Sequence, residues 1–236
     1  MSGRILFTDN EGCLTPGKGL SYDLEALILL RERMVIDPGF RLVLCTGRSM
    51  PYCEALLQAV GLESASWPMI CEGGPVLYHP AEDRVELLCE PPPMTEILAR
   101  MPRHLCYPEL GKLACLSVYP VTGKLTVSEL GEIAREICDS LCAEVQITLS
   151  AAAVDITPKS IDKGSAIAAV SDRMGWDLTK AGGFGDAGND LPMLRRVGVP
   201  MCPANASSAV KAVCQFTAAR SSTHGLLEAM DFLSRN

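Results

Sequence analysis

Short apolar runs alternate with helical periodicity along the first third of the chain. Arg4 to Thr8 is an apolar run closed by polar residues, the pattern of a buried strand. Tyr22 to Met34 is rich in Leu, Ile and Glu and predicts a helix, with Ser21 as its N-cap. Arg41 to Thr46 predicts a second strand. Met50 to Val60 predicts a second helix, with Pro51 in its first turn and Gly61 past its end. Pro68 to Cys71 predicts a third strand. This βαβαβ alternation implies a parallel sheet with helices on its faces.

The pattern then shifts. Val76 to Tyr78, Val85 to Leu88, Leu113 to Tyr119, Ala143 to Thr148 and Ala153 to Thr157 predict strands. Met94 to Met101 and Thr126 to Cys142 predict helices among them, the second opening on a Thr126/Glu129 capping box. This mixture predicts a small α+β insert over residues 79–155, flanked by an α/β core of residues 1–78 and 156–236. After Pro158 the βα alternation resumes. Asp162 caps a helix from Lys163 to Met174, and a strand ends near Phe184. A helix is predicted over Asn189 to Val197, a strand over Val199 to Cys202, a short helix over Ser207 to Val213, a strand near Gln215 to Thr217, and a last helix from about Gly225.

Composition narrows the function classes. With 236 residues, 48% hydrophobic and 21% charged, the chain has ample material for a core. The formal charge of -7 argues against a nucleic-acid partner, which usually requires a basic stripe. No run reaches the length of a membrane span, and the apolar start is too short for a signal sequence, so a cytoplasmic location is expected. The 11 cysteines include no CxxC pair and sit mostly in apolar runs, as reduced buried thiols would. Cys138 and Cys142, one helical turn apart, read as core packing rather than a metal pair. His79, His104 and His224 are too scattered to suggest zinc.

Candidate chemistry collects after the strands, where open α/β sheets bind ligands. Asp9 and Glu11 follow the first strand and Thr46, Gly47 and Arg48 the second. Glu72 follows the third. Asp186, Asn189 and Asp190 follow the strand ending near Phe184, and Lys163 opens the helix after the insert. Several carboxylates and a lysine on one sheet edge balance when Mg²⁺ and a phosphate are present, and Asp9 and Asp186 are the hard oxygen ligands that Mg²⁺ takes. Two other fingerprints are partial. Gly12 to Lys18 fits seven positions of a P-loop, but Gly19 stands where Ser or Thr would hold the metal. Gly183 to Gly188 fits G-x-G-x-x-G, but no acidic residue follows between Val199 and Leu227.

Taken in order, Ile5–Gly12, Leu44–Arg48, Ile161–Gly164 and Gly185–Leu194 resemble the motifs of the haloacid dehalogenase superfamily of phosphotransferases. Asn205, Ala206 and Gly225 fit the tail of its Cof-like branch with a type IIB cap. Phosphoglycolate phosphatases and sucrose-phosphate-phosphatase-like enzymes are the most similar groups. The resemblance implies a Rossmann-like core with an inserted cap, and a Mg²⁺-dependent phosphatase acting on a small phosphorylated metabolite through an aspartyl-phosphate. It makes Asp9 the nucleophile and Glu11 the general acid and base. Thr46, Gly47 and Lys163 would bind phosphate. Asp9, the Glu11 carbonyl and Asp186 would hold Mg²⁺, with Asn189 and Asp190 behind them. Apart from the resemblance, Arg48 is a candidate substrate contact, and Glu72 reads first as a turn residue and second as a candidate substrate contact. Arg100, Arg103, His104 and Lys112 are candidate anion contacts in the insert by charge alone. The chain departs from the pattern at Glu11, where the family has Asp, at Cys13 and at Gly73. A non-catalytic phosphate-ligand binder of the same fold is therefore the main alternative, ahead of a phosphosugar mutase or a P-loop nucleotide hydrolase.

Overall fold

The computed structural model describes residues 3–150 and 152–235. The chain begins with β1 (Arg4–Thr8), α1 (Leu24–Ile36), β2 (Phe40–Leu44), α2 (Met50–Val60) and β3 (Met69–Cys71). A hairpin of β4 (Val76–His79) and β5 (Arg84–Leu87) follows. The next stretch holds α3 (Met94–Arg100), β6 (Cys106–Pro108), β7 (Leu116–Pro120), α4 (Val127–Ser140), β8 (Val145–Leu149) and β9 (Val154–Pro158). The chain ends with α5 (Lys163–Met174), β10 (Gly182–Phe184), α6 (Leu191–Leu194), β11 (Val199–Cys202), α7 (Ser208–Lys211), β12 (Phe216–Thr217) and α8 (Ser222–Arg235).

The main sheet runs β12-β11-β10-β1-β2, with every pair parallel. A parallel bridge from Cys45 to Ile70 sets β3 beyond β2. The chain thus leaves β1 toward β2 and β3, then returns on the other side through β10, β11 and β12. The strand order reverses between β1 and β10, which is where an open α/β sheet forms its ligand crevice. Leu6, Phe7, Val43 and Phe184 are fully buried, because both sheet faces are covered by helices. This is the mixed α/β class that the alternation of short apolar runs predicts.

Local signals set many of the element ends. Asp162 accepts from the Ser165 N–H and caps α5, while Gly61 and Gly175 close α2 and α5 in left-handed conformations. Thr126 and Glu129 form the expected capping box on α4. The N-cap of α1 is Asp23 rather than Ser21, since Asp23 accepts from the Ala26 N–H. The helix expected over Asn189 to Val197 is a 3₁₀ turn at Gly188–Asp190 followed by the single turn of α6. There the Asp190 carboxylate turns back onto the Asp186 and Ala187 N–H groups.

The stretch expected to be one insert sorts into two sheets. β3, β4 and β5 form an antiparallel sheet, and Val76, Leu77 and Tyr78 pack in the same apolar cluster as β1 and β2. The expected strand at Val85 to Leu88 therefore pairs with the core-side hairpin. β6, β7, β9 and β8 form a separate four-stranded sheet. Its cluster of Ile97, Val118, Leu130, Ala134, Val154 and Ile156 is distinct from the first. A strand at Cys106–Pro108 was not expected, because three residues carry too little alternation to register.

Candidate active site

The crevice at β1 and β10 gathers four loops. Asp9 leaves β1 with its N–H donated to the Phe184 carbonyl at 3.0 Å. Burial pushes the Asp9 carboxyl up to about 7, with Lys163 opposing and Asp190 and Glu11 adding to the rise. Lys163 opens α5 and is buried, with Nζ 3.0 Å from Asp9 Oδ1 and 2.6 Å from Asp190 Oδ1. Burial pulls its pKa down, but Asp190 and Asp9 outweigh that, and the ammonium is held well above the usual lysine value. Asp190 Oδ2 accepts from the N–H groups of Asp186 and Ala187 at 2.9 and 3.0 Å. Both Asp190 oxygens are thereby engaged, so this residue orients Lys163 and the Asp186 loop.

Carboxylate oxygens of Asp9, Asp186 and Asp190 lie within 4.8 Å of one another, the one group of three such side chains among the described residues that could hold a metal ion. Burial and Asp190 together push Asp186 up to about 6. Two carboxyls raised this way are short of positive charge, which is what a hard divalent cation would supply. Gly12 has φ +74°, and a Cβ there would overlap the Asp186 carboxylate. Gly185 is closed off in the same way by Asp190. Asn205 Nδ2 donates to the Gly12 carbonyl at 3.0 Å and steadies the same loop.

Thr46, Gly47 and Arg48 follow β2. Thr46 is buried, and its Oγ1 accepts from the Arg48 N–H at 3.2 Å. Arg48 pairs through Nε with the Glu11 carboxylate, and its guanidinium lies 4.6 Å from the Tyr52 ring centroid. Sequence reading missed the support beneath it. Tyr22 Oη lies 2.8 Å from Asn10 Oδ1, Asn10 Nδ2 donates to Tyr52 Oη at 3.2 Å, and the two tyrosine hydroxyls are 2.6 Å apart. This network holds the Asp9–Glu11 turn from α2 and from the segment just before α1.

A cavity of about 370 Å³ lies between the main sheet and the separate four-stranded sheet. Asp9, Glu11 and Asp186 line it from one side, and Glu109, Lys112 and Tyr119 from the other. Gly47, Arg48 and Asn189 also reach it. Among the insert cations singled out by charge, Lys112 is the one on its walls; Arg100 instead pairs with Glu96.

Glu72 takes the turn position of its first reading, rather than the alternative of a substrate contact. It is buried, is not among the cavity's lining residues, and has φ +57°. Its carboxylate accepts from the N–H groups of Leu113, Ala114 and Cys115 at 2.7, 2.9 and 2.9 Å. Burial raises its pKa against those three bonds. The residue ties the segment before β7 to the turn after β3.

The partial P-loop fingerprint resolves by geometry. Lys18 pairs with Glu109 at 3.0 Å, and Gly12 to Gly19 is a turn-rich loop rather than the entry to a helix. Cys138 is buried, Cys142 is exposed, and all 11 cysteines are free. Among the described residues no helix is long and apolar enough to cross a membrane.

In fold and motif order the chain is similar to the haloacid dehalogenase-like hydrolases. A family profile with that description matches residues 116–230. Phosphoglycolate phosphatase of Methanopyrus kandleri is 24% identical over 216 residues, covering 89% of this chain and 88% of that one. The enzyme of the same name from Sulfolobus acidocaldarius is also 24% identical, covering 95% and 94%. Among solved structures, a Thermoplasma acidophilum protein superposes with a TM-score of 0.80 at 19% identity, over 99% of both chains. The sucrose-phosphatase of Synechocystis superposes at 0.69 with 20% identity, again over 99% of both.

Proposed function

We propose that this chain is a Mg²⁺-dependent phosphomonoesterase acting on a small phosphorylated metabolite through an aspartyl-phosphate. One observation carries the reading: Asp9, Lys163 and Asp186 converge at the strand-order reversal, beside a cavity large enough for a small phosphate ester. Asp9 would attack phosphorus, forming the Asp–O–P bond as the ester P–O bond breaks. Glu11 would give its proton to the leaving oxygen and later take one from the water that cleaves the acyl phosphate. Lys163, Thr46 and Gly47 would hold the phosphoryl oxygens. Asp9, Asp186 and the Glu11 carbonyl would hold Mg²⁺, which offsets charge on the phosphoryl oxygens. Asn189 and Asp190 would act behind them, Asp190 by orienting Lys163. The four-stranded sheet and its two helices would act as the cap, within the insert read over residues 79–155. The phosphatase names of the relatives support phosphoglycolate or a sugar phosphate as the substrate class. The free, mostly buried thiols support a cytoplasmic setting.

A second reading has one observation in its favour. The Glu11 carboxylate is paired with Arg48, so one of its oxygens is taken up. A non-catalytic binder could keep that pair. Hydrolysis of p-nitrophenyl phosphate with and without Mg²⁺ separates the two. Turnover that needs Mg²⁺ and falls below a tenth in Asp9→Asn supports the enzyme; turnover that survives in Asp9→Asn overturns the covalent assignment.

A further inference from the structure

Glu109 is a carboxylate inside the cavity, and three donors converge on it. Lys18 Nζ lies 3.0 Å from Oε2 and Arg48 Nη1 lies 3.5 Å from Oε1. Tyr119 Oη donates to Oε2 at 2.8 Å. Lys18 also sits 4.0 Å from the centroid of the Tyr119 ring, which fixes the ammonium between ring and carboxylate. Lys112 adds a third cation on the same wall, its Nζ donating to Ser117 Oγ at 2.6 Å while Ser117 donates in turn to Asp155. Although burial opposes it, Lys112, Lys18 and Arg48 hold the Glu109 carboxyl below the usual range.

These groups come from three places in the chain: the loop after β1, the loop after β2, and the stretch that follows β6 and continues through β7. A surface ion pair would not gather an aromatic platform, a guanidinium and two ammoniums around one half-buried carboxylate. Asp9 lines the same cavity from the opposite side, so a ligand with its phosphoryl group at Asp9 would place its organic portion toward Lys18 and Glu109.

We propose that Lys18, Arg48, Lys112 and Tyr119 form a second anion subsite for an acidic group on the substrate's organic portion, which Glu109 occupies when no substrate is bound. The proposal rests on the phosphatase reading and names the substrate class for it: a small phosphate monoester bearing a carboxylate. The incoming carboxylate exchanges with that of Glu109 on the same donors. Arg48 contacts both Glu109 and Glu11, so the exchange also acts on the residue next to the reacting centre. Lys18, whose position in a partial P-loop fingerprint had no other use, becomes a specificity residue.

The test compares 2-phosphoglycolate with 2-hydroxyethyl phosphate, which replaces the carboxylate by a hydroxymethyl group. The readout is the ratio of their kcat/KM values in the full chain with Mg²⁺. Lys18→Met should lower the preference for 2-phosphoglycolate by about 10-fold or more, since a charge-assisted bond is lost. Lys18→Arg should keep it. Glu109→Gln should raise the preference about 3-fold or more, through a lower KM for 2-phosphoglycolate. A ratio that is the same in all four proteins overturns the subsite. So does a higher KM for both esters in Glu109→Gln, which would make Glu109 a ligand for hydroxyl groups. If the wild type turns over neither ester, the phosphatase reading fails separately. Thermal shifts with the same two esters then decide the subsite by the same ratio.

Discussion

Gly12 and the Asp186 carboxylate share one space. The side chain of Asp186 fills the position that a Cβ on residue 12 would take, and Gly12 also has a left-handed φ of +74°. A side chain at residue 12 would therefore have to displace the Asp186 carboxylate, one of the groups at the candidate cation site.

Gly12→Ala should push Asp186 away from Asp9 and weaken Mg²⁺ binding about 10-fold or more, as lost support for a metal ligand does. The left-handed φ adds about 1 kcal/mol of strain. A Mg²⁺ titration of activity or melting temperature checks this; an unchanged midpoint would show that the contact does not control the metal.

Asp186→Ala and Lys163→Ala should separate metal from phosphate. Loss of Asp186 should act mainly on the Mg²⁺ dependence. Loss of Lys163 should act mainly on phosphate affinity, and should destabilise the fold because Asp9 and Asp190 lose their buried partner. Inorganic phosphate inhibition measured at several Mg²⁺ concentrations gives both quantities, and identical Mg²⁺ profiles for wild type and Asp186→Ala would remove Asp186 from the metal site.

The pH dependence follows from the raised carboxyls. Asp9 and Asp186 hold protons up to about 7 and about 6, against an ordinary value of 3.8. The folded chain therefore binds these protons more tightly than the unfolded one. The metal-free stability they contribute is fully present below about pH 4 and is lost as pH rises through 6 and 7. Mg²⁺ needs the ionised carboxylates, so its affinity should rise across the same window. Melting curves at pH 5.5 and 8.0 should show a larger Mg²⁺ shift at 8.0; equal shifts would argue that neither carboxylate is a ligand.

Glu72→Ala should strip the acceptor from three N–H groups of residues 113–115. Two of these N–H groups, those of Ala114 and Cys115, are buried, and each buried orphan costs about 1–3 kcal/mol, so a loss of about 3 kcal/mol is expected. At this chain length that lowers the melting temperature by roughly 10 °C. Amide exchange should speed up at residues 113–115 before it does in β1 or β2. Uniform exchange across the chain would mean that the tie is not local.

Glu11 tests the departure from the family pattern. Glu11→Gln should lose about 10²–10⁴-fold on alkyl phosphates, whose leaving oxygen needs a proton, and much less on p-nitrophenyl phosphate. Equal losses on both substrates would take the proton transfer away from Glu11.

The sequence by itself determined the parallel core, the loops that follow its strands and the set of residues at the crevice. These are short-range properties. A buried strand is an apolar run, a cap is a Ser, Thr, Asp or Gly at a fixed offset, and a loop after a parallel strand lies at one sheet edge. Asp9, Thr46 and Asp186 could be read for that reason, and Lys163 as the first residue of a helix capped by Asp162. Only the tertiary structure decided which side of the molecule β4 and β5 join, because a hairpin's pattern is the same whichever sheet it extends. It also decided that Glu72 binds backbone N–H groups some forty positions away, that Tyr22 and Tyr52 meet over Asn10, and that Lys18 and Arg48 share Glu109. A carboxylate has the same sequence signature whether it holds a cation, a backbone or nothing, and its partner is fixed by packing between segments that the local pattern does not connect.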